Sequence, residues 1–401
     1  MLFNNYLIFT YIFLFVIIYN IAKYLTKNRV VRNILILGGN LFVLLTIVKE
    51  HSLIVLMALS LFIFLLGKLL QKKNKKWILP ISVIFVITLF SIRNYEFVQE
   101  LLTKVKLSFI NTPALSVQKI GLSYILFRYI HWLIESSKKT IHDSDFLTFL
   151  NYIFFFPSFL AGPIDKYNNF HYWVGNNKLT YQKSLFFAGV SRVFIGTFKT
   201  IGLVPFIIVY ATDYTQFLTD FTPSVAVLLS LLTYSAYIFL DFSGYSDIAI
   251  GTAYMIGIKT PENFNAPYLS LNISDFWKRW HITFSSFLTL YVFKPIIKLL
   301  NSVIHPKRRL LVSVLGYLLT FIICGLWHGS TINFLYWGLW HGIGLAIYKI
   351  WDVKIKPNKT FFASEAYKGI SIAITFIFVT VGWLFFHYST EQLAEIFELI
   401  L

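Results

Sequence analysis

Cysteine is almost missing from this chain. Cys324 is the single one in 401 residues, which excludes an internal disulfide framework and any cysteine-based zinc site. Charge is scarce too: 13% of residues are Asp, Glu, Lys or Arg, against 57% hydrophobic and 19% aromatic. That is too little polar surface to cover a soluble fold of this size. No His-Glu-x-x-His pair, Gly-x-Ser-x-Gly elbow or Walker loop is present, which removes the commonest zinc-protease, serine-hydrolase and nucleotide-binding readings. There is no Gly/Ser linker and no long repeat. The first residues, Met1 to Asn5, lack a basic n-region and no small-residue cleavage pattern follows, so the first apolar run is expected to stay as a span. What is present in excess is apolar length, and the chain reads as an all-α, polytopic integral membrane protein.

The formal charge of +17 does not point to nucleic acid, because the basic residues sit in short clusters between apolar runs, as topogenic loops do. Runs that approach the roughly 20 residues of a span cover approximately 6–22, 34–48, 53–70, 77–92, 146–160, 185–210, 225–256, 284–304, 310–326, 334–350 and 370–386. The clusters are Lys23, Lys27, Arg29 and Arg32; Lys68, Lys72, Lys73, Lys75 and Lys76; His305, Lys307, Arg308 and Arg309; and Lys349, Lys354, Lys356 and Lys359. Placing them all inside puts the N-terminus and the loop at Lys49 to Ser52 outside. The stretch 120–134 carries Arg128 and His131 and reads as a re-entrant or bundle-facing helix. Three regions are expected: N-terminal spans at 1–105, a core at 106–350, and a basic loop with the last span at 351–401.

Polar residues concentrate after Gly121. Asp241, Ser243, Tyr245, Ser246 and Asp247 interrupt one apolar run, and on a helix Ser243, Asp247 and Gly251 share a face while Asp241 points elsewhere. Two readings are open for them: interhelical hydrogen bonding with glycines permitting close approach, or support of a site. The segment Pro261-Glu262-Asn263-Phe264-Asn265-Ala266-Pro267 breaks the helix into a structured loop. Phe276-Trp277-Lys278-Arg279-Trp280-His281 then sets aromatics beside cations, as at a membrane interface, a reading that explains His281 less well than Trp277, Lys278 and Trp280.

The pentapeptide Gly-Leu-Trp-His-Gly occurs twice, at Gly325 to Gly329 and Gly338 to Gly342. An ionisable residue in membrane is a functional hypothesis by default. The turn-like residues 329–333 make the two runs a helical hairpin with His328 at its far end, and the 13-residue offset would aim His328 and His341 apart on one straight helix. A histidine out of water stays neutral and able to accept a proton, which suits a general base for a hydroxyl attacking a thioester where water is excluded. A metal on His281, His328 and His341 is the weaker alternative, since no carboxylate stands at ligand spacing; none is expected. His131 reads as a packed bundle residue, and His387 as an interfacial anchor.

Five stretches together carry a resemblance: Phe156-Pro157 through Ala161-Gly162-Pro163-Ile164, Asp241 through Asp247, Pro261-Glu262-Asn263-Phe264, Phe276 through His281, and Gly325 through Gly329. In this order the chain resembles the membrane-bound O-acyltransferases, in the bacterial branch of alginate O-acetyltransferases and the teichoic-acid D-alanyl transfer protein. The resemblance implies a ring of tilted helices around a central tunnel, in a multi-pass protein of the bacterial cytoplasmic membrane. It assigns His328 as the catalytic histidine and His281 as the residue that orients the reacting groups. Supporting or tunnel-lining positions are Asp241, Ser243, Tyr245, Asp247, Glu262, Asn263, Trp277, Arg279, Trp327, Asn333 and His341. It implies no bound cofactor and an acyl donor that is acetyl-CoA or another acyl thioester. The donor or a carrier protein comes from the cytoplasmic face, with an extracytoplasmic acetyltransferase partner or glycan acceptor on the other. The expected activity is O-acylation of an envelope polysaccharide, most simply acetylation; D-alanyl transfer to teichoic acid is the alternative, and a transporter or flippase without acyl chemistry a more distant one. One departure stands out: after His281 the branch carries Trp-Phe-Arg-Asp, whereas this chain reads Phe287-Leu288-Thr289-Leu290, which puts the inner docking surface in question.

Overall fold

The computed structural model describes residues 6–26, 28–46, 50–72, 77–94, 122–141, 143–175, 182–354 and 364–400. Gly121, the boundary expected at 105/106 and the basic residues Lys27, Lys49, Lys73, Lys75, Lys76, Lys356 and Lys359 lie outside them. All regular structure among the described residues is helical. Among the described residues, six helices or helix runs are long and apolar enough to cross a membrane: 52–72, 183–212, 223–255, 282–303, 306–328 and 365–387. This is an all-α, multi-pass membrane protein.

Two of these runs contain a π-turn, at Phe198–Leu203 and Thr289–Phe293. In each, a proline, Pro205 or Pro295, follows two residues later in the next helix. A proline has no N–H for the preceding turn, and a π-turn is one way the helix absorbs that loss without breaking.

The chain divides into two compact units: residues 1–198 with 244–261, and residues 199–243 with 262–401. The first contains α1 (Tyr6–Leu25), α2 (Arg29–Leu45), α3 (Glu50–Lys72), α4 (Ile78–Asn94), α5 (Leu122–Ser137), α6 (Phe146–Phe154), α7 (Tyr167–Gly175) and α8 (Lys183–Thr197). Its core is not purely apolar. Asn40 Nδ2 donates to Asn151 Oδ1 at 3.2 Å, Asn151 Nδ2 donates to the Asn33 carbonyl at 2.9 Å, and Asn33 Nδ2 reaches Thr148 Oγ1 at 3.2 Å. These bonds fix α2 against α6. Of the two readings for 120–134, the structure gives the bundle-facing helix: α5 buries Arg128 and His131. Arg128 donates to the carbonyls of Tyr152, Ile153 and Ser158 at 2.7 to 2.8 Å. The carbonyls at the end of α6 have no partner within their own helix, and the guanidinium supplies one while its positive charge suits the negative helix terminus. His131 Nε2 accepts from the backbone N–H of Tyr167, in keeping with a packed bundle residue.

The second unit holds α9 (Val204–Thr212), the N-terminal part of α10 (Pro223–Met255), α11 (Ile273–Arg279), α12 (Ile282–Leu288), α13 (Lys294–Val303), α14 (Arg309–His328), α15 (Ile332–Lys354), α16 (Glu365–His387) and α17 (Thr390–Ile400). Its centre is the α14–α15 hairpin. A Cβ on Gly325 would meet the Phe334 carbonyl oxygen, and one on Gly338 would meet that of Phe321; each glycine lies against the other's Cα. The first glycines of the two pentapeptides are thus the place where the hairpin's backbones touch.

Candidate active site

His281 owes its position to a turn. α11 starts at Asn272, whose side chain accepts from the Asp275 N–H, and is braced by the Arg279–Asp275 ion pair at 3.0 Å, one helical turn apart. It stops at Trp280, and His281 takes a left-handed conformation with φ 43° before α12 begins. A non-glycine residue adopts that conformation at a cost and is held there by its surroundings. The holder is Asn263. Its main-chain oxygen accepts from Ile282 N at 2.9 Å, and its side-chain oxygen accepts from Thr283 N at 3.4 Å and Thr283 Oγ1 at 2.8 Å. His281 Nδ1 lies 3.1 Å from that same Asn263 Oδ1. A backbone N–H must find an acceptor, so the Thr283 contact identifies the atom as oxygen. Nδ1 therefore carries the proton, and a neutral ring held this way presents an acceptor, not a donor, at Nε2.

His328 ends α14, with Gly329 extended after it. Its half-buried ring makes edge contacts with Trp337 at 4.8 Å and Phe386 at 5.1 Å between centroids, and touches Trp327 at 4.6 Å. No hydrogen bond to this imidazole is present among the described residues. Phe284 joins the two histidines: its centroid is 4.9 Å from His281 and 6.1 Å from His328, and it packs on Trp327 at 4.6 Å. The site thus sets an imidazole held through Nδ1 and an imidazole without a hydrogen bond among the described residues on either side of a single phenyl ring, within aromatic walls.

His341 lies elsewhere in the hairpin. It is 0% exposed and sits among Trp277, Trp337 and Phe378 at 4.9 to 5.9 Å between centroids. Neither ring nitrogen has a hydrogen-bond partner among the described residues. Antiparallel folding of the hairpin brings His328 and His341 onto the same indole, Trp337, which the single-helix geometry of the sequence did not anticipate.

The other candidate positions divide. Trp277 packs on Phe321 and Trp337 as well as on His341. Asn333 donates to the carbonyls of Phe385 and Tyr388 at 3.1 and 3.2 Å, closing the C-terminus of α16. Ser243 accepts from Lys199 Nζ at 3.3 Å, and half-buried Asp241 lies on α10 one residue before Phe242, whose ring meets His281 edge-on at 4.7 Å. Glu262 is exposed. Tyr245 and Asp247 belong to the first unit. There Tyr245 Oη accepts from Ala161 N and donates to the Pro157 carbonyl, Asp247 stands 3.7 Å from Arg192, and Gly251 and Gly244 pack on Gly189 and Gly196 of α8. For those residues the interhelical reading accounts for the observed contacts. His387 Nε2 donates to the Thr212 carbonyl and its ring stacks on Tyr234. The sequence reading missed Thr283, Phe284, Phe242 and Trp337. Thr283 carries a legible signal, a hydroxyl two residues past a histidine at a helix start; the aromatics are indistinguishable by type from the rest of an aromatic-rich chain.

The membrane-bound O-acyltransferase profile matches residues 33–390. The chain belongs to the membrane-bound O-acyltransferase family. It is an acyltransferase by that membership. Among similar proteins, the teichoic acid D-alanyltransferase of Bacillus subtilis (strain 168) is 33% identical over 278 residues, covering 67% of this chain and 68% of the relative. The peptidoglycan O-acetyltransferase of Helicobacter pylori (strain ATCC 700392 / 26695) is 34% identical over 260 residues, 63% of this chain and 46% of the relative. The "probable alginate O-acetylase AlgI" of Pseudomonas syringae pv. tomato is 30% identical over 276 residues, 69% of this chain and 50% of the relative. The match therefore spans about half the length of these two O-acetyl-transferring relatives.

Proposed function

We propose that the chain moves an activated acyl group, in the first place acetyl, across the bacterial cytoplasmic membrane for O-acylation of an envelope polysaccharide, with His328 as the base. The observation that carries this is the pairing around Phe284 of an open imidazole with one locked by Asn263. In the reaction His328 takes the proton of the acceptor hydroxyl as its oxygen bonds to the acyl carbonyl carbon. The carbon–sulfur bond of the donor thioester breaks, and the imidazolium returns the proton to the leaving thiolate. His281 positions the reacting groups through its acceptor nitrogen, and the aromatic walls limit hydrolysis of the thioester. The donor is acetyl-CoA or another acyl thioester, free or on a carrier protein. It would approach from the cytoplasmic face near α13, whose Lys294 and Lys298 are exposed and suit phosphate or an acidic carrier. An extracytoplasmic acetyltransferase partner or the glycan itself receives the acyl group on the far side.

The coverage of the D-alanyltransferase relative, 68% of its length, favours a second reading, D-alanyl transfer from a carrier protein to teichoic acid. One experiment tests both. Envelope polymers from wild-type, deletion and His328→Ala strains are hydrolysed and their ester-linked acetate and D-alanine quantified. Loss of acetyl esters in both mutants, with the protein at normal abundance, supports the first reading; loss of D-alanyl esters moves the assignment to the second. Full retention of both esters in the His328→Ala strain sinks the role given to His328.

A further inference from the structure

Away from His281 and His328, the second unit has an open groove of about 560 Å³ between the C-terminal half of α15 and the N-terminal half of α16, within the ~300–1,000 Å³ usual for small-molecule sites. Ile347, Trp351, Tyr367, Ile370, Ile374 and Phe378 supply most of its apolar wall. Of the polar wall residues, Thr375 turns its hydroxyl back to the Ser371 carbonyl at 2.7 Å, and the Asn272 side-chain oxygen accepts from the Asp275 N–H at 2.8 Å. The floor is preformed: Phe378 stacks on Trp340 at 4.7 Å and 13° and lies so close to Gly344 that a Cβ there would collide with it.

The mouth differs from the wall. Gly344, Ile347 and Trp351 form a helical stripe whose next position is exposed Lys354. Nearby acids are partly neutralised: Glu365 pairs with Lys368 at 2.6 Å, and Asp275 with Arg279 at 3.0 Å. Asp352 is the charge that opposes the lysines on α15, and the 23-residue α16 begins here, adding the partial positive charge of a helix N-terminus. Trp351, Tyr348 and Tyr367 mark the level at which indole and phenol rings settle between hydrocarbon and water.

We propose that this groove is a binding site for one acyl chain of an anionic phospholipid, drawn from the leaflet at the basic ends of α15 and α16, with its phosphate held at Lys354, the next position of the lining stripe. The groove's apolar wall takes the chain, and the charge at the mouth selects the headgroup. An occupant would lie against Leu271 and Ile273, at the start of the short helix that leads to His281, and so would brace that helix from its far end. The proposal concerns binding and does not depend on which acyl group is transferred.

The test uses the full chain purified in detergent, stripped of lipid, and titrated with phosphatidylglycerol or phosphatidylcholine of equal chain length while bound lipid is counted by native mass spectrometry. One phosphatidylglycerol per chain is expected, preferred over phosphatidylcholine by on the order of tenfold. Ile374→Trp fills the groove at a position 63% exposed and should abolish retention of both lipids, with an unchanged elution profile and melting temperature as the control for folding. Lys354→Glu leaves the wall intact and should remove the headgroup preference. No retained lipid, equal retention of the two lipids by the wild type, or a folded Ile374→Trp variant that still binds phosphatidylglycerol like the wild type overturns the proposal.

Discussion

The two copies of Gly-Leu-Trp-His-Gly are alike in their glycines and unlike in their histidines. Gly325 and Gly338 do the same work from opposite sides of one contact, each making room for the partner helix's backbone. His328 and His341 flank the same indole of Trp337, yet one ring is half-buried and open while the other is sealed among aromatics with both nitrogens unpartnered. The difference teaches that a repeated motif in a hairpin can record a packing requirement. The repeat is explained by how closely two backbones approach, and the proposed chemistry uses one copy.

The broadest effect is expected where the copies are equivalent. Gly325→Val and Gly338→Val each force a side chain into a facing carbonyl oxygen. Overpacking by a single methylene or two costs ~1–3 kcal/mol where neighbours can yield, and a backbone cannot yield as a side chain does. Both variants should fail to accumulate as monodisperse protein, judged by fluorescence-detected size exclusion. Normal yield of one but not the other would show that the contact is not the shared one described.

Where the copies differ, the same substitution should separate them. His328→Leu removes the proposed base and should cut acyl transfer by at least about a hundredfold, with expression and melting temperature near wild type. A smaller loss belongs to Asn263→Ala. That change leaves Thr283 N–H, the Thr283 hydroxyl and His281 Nδ1 without their shared acceptor, and each buried orphan costs ~1–3 kcal/mol. The expected outcome is a ten- to hundredfold fall in kcat with a modest change in KM, because the ring is misplaced rather than removed. Asn263→Asp keeps three acceptor contacts and adds a negative charge, which favours the protonated form of His281. It should restore stability and shift the pH dependence of kcat upward; an unchanged pH profile would detach His281 from the reaction.

The membrane class and the helical segments were legible because hydropathy is a local property: the runs at 223–255 and 365–387 are visible by length alone. The histidine candidates were legible too, since few residues in an apolar run carry a proton. What could not be read is what joins distant segments. Asn263 meets His281 across 18 residues only because His281 adopts a left-handed turn, and neither composition nor spacing fixes that turn. Asn40 and Asn151 are 111 residues apart, and in sequence each is one more polar residue in an apolar stretch. Arg128 looked like a charge out of place until the end of α6 was seen to need donors. Phe284, the residue that joins His281 to His328, is one phenylalanine among 42, and no local feature singles it out.

The smallest effect is expected at His341, and it tests the comparison most sharply. Two buried nitrogens without hydrogen bonds carry a penalty of ~1–3 kcal/mol, eased by edge-on contacts with the faces of Trp277 and Phe378 at 82° and 87°. Leucine fills a similar volume and removes that penalty while giving up the edge-to-face contacts, so the terms oppose and nearly cancel. His341→Leu should leave acyl transfer within about threefold of wild type, since no reacting group is lost. Its melting temperature should move by no more than a few degrees, up or down. The measurement is a paired assay of His328→Leu and His341→Leu in the same membranes. If the folded His341→Leu protein were as inactive as His328→Leu, the sealed histidine would have to be reached by a proton or by substrate during turnover. Trp337, which touches both rings, would then be the element that moves, and Trp337→Phe, which keeps the aromatic wall with a smaller ring, should lower kcat without unfolding the hairpin.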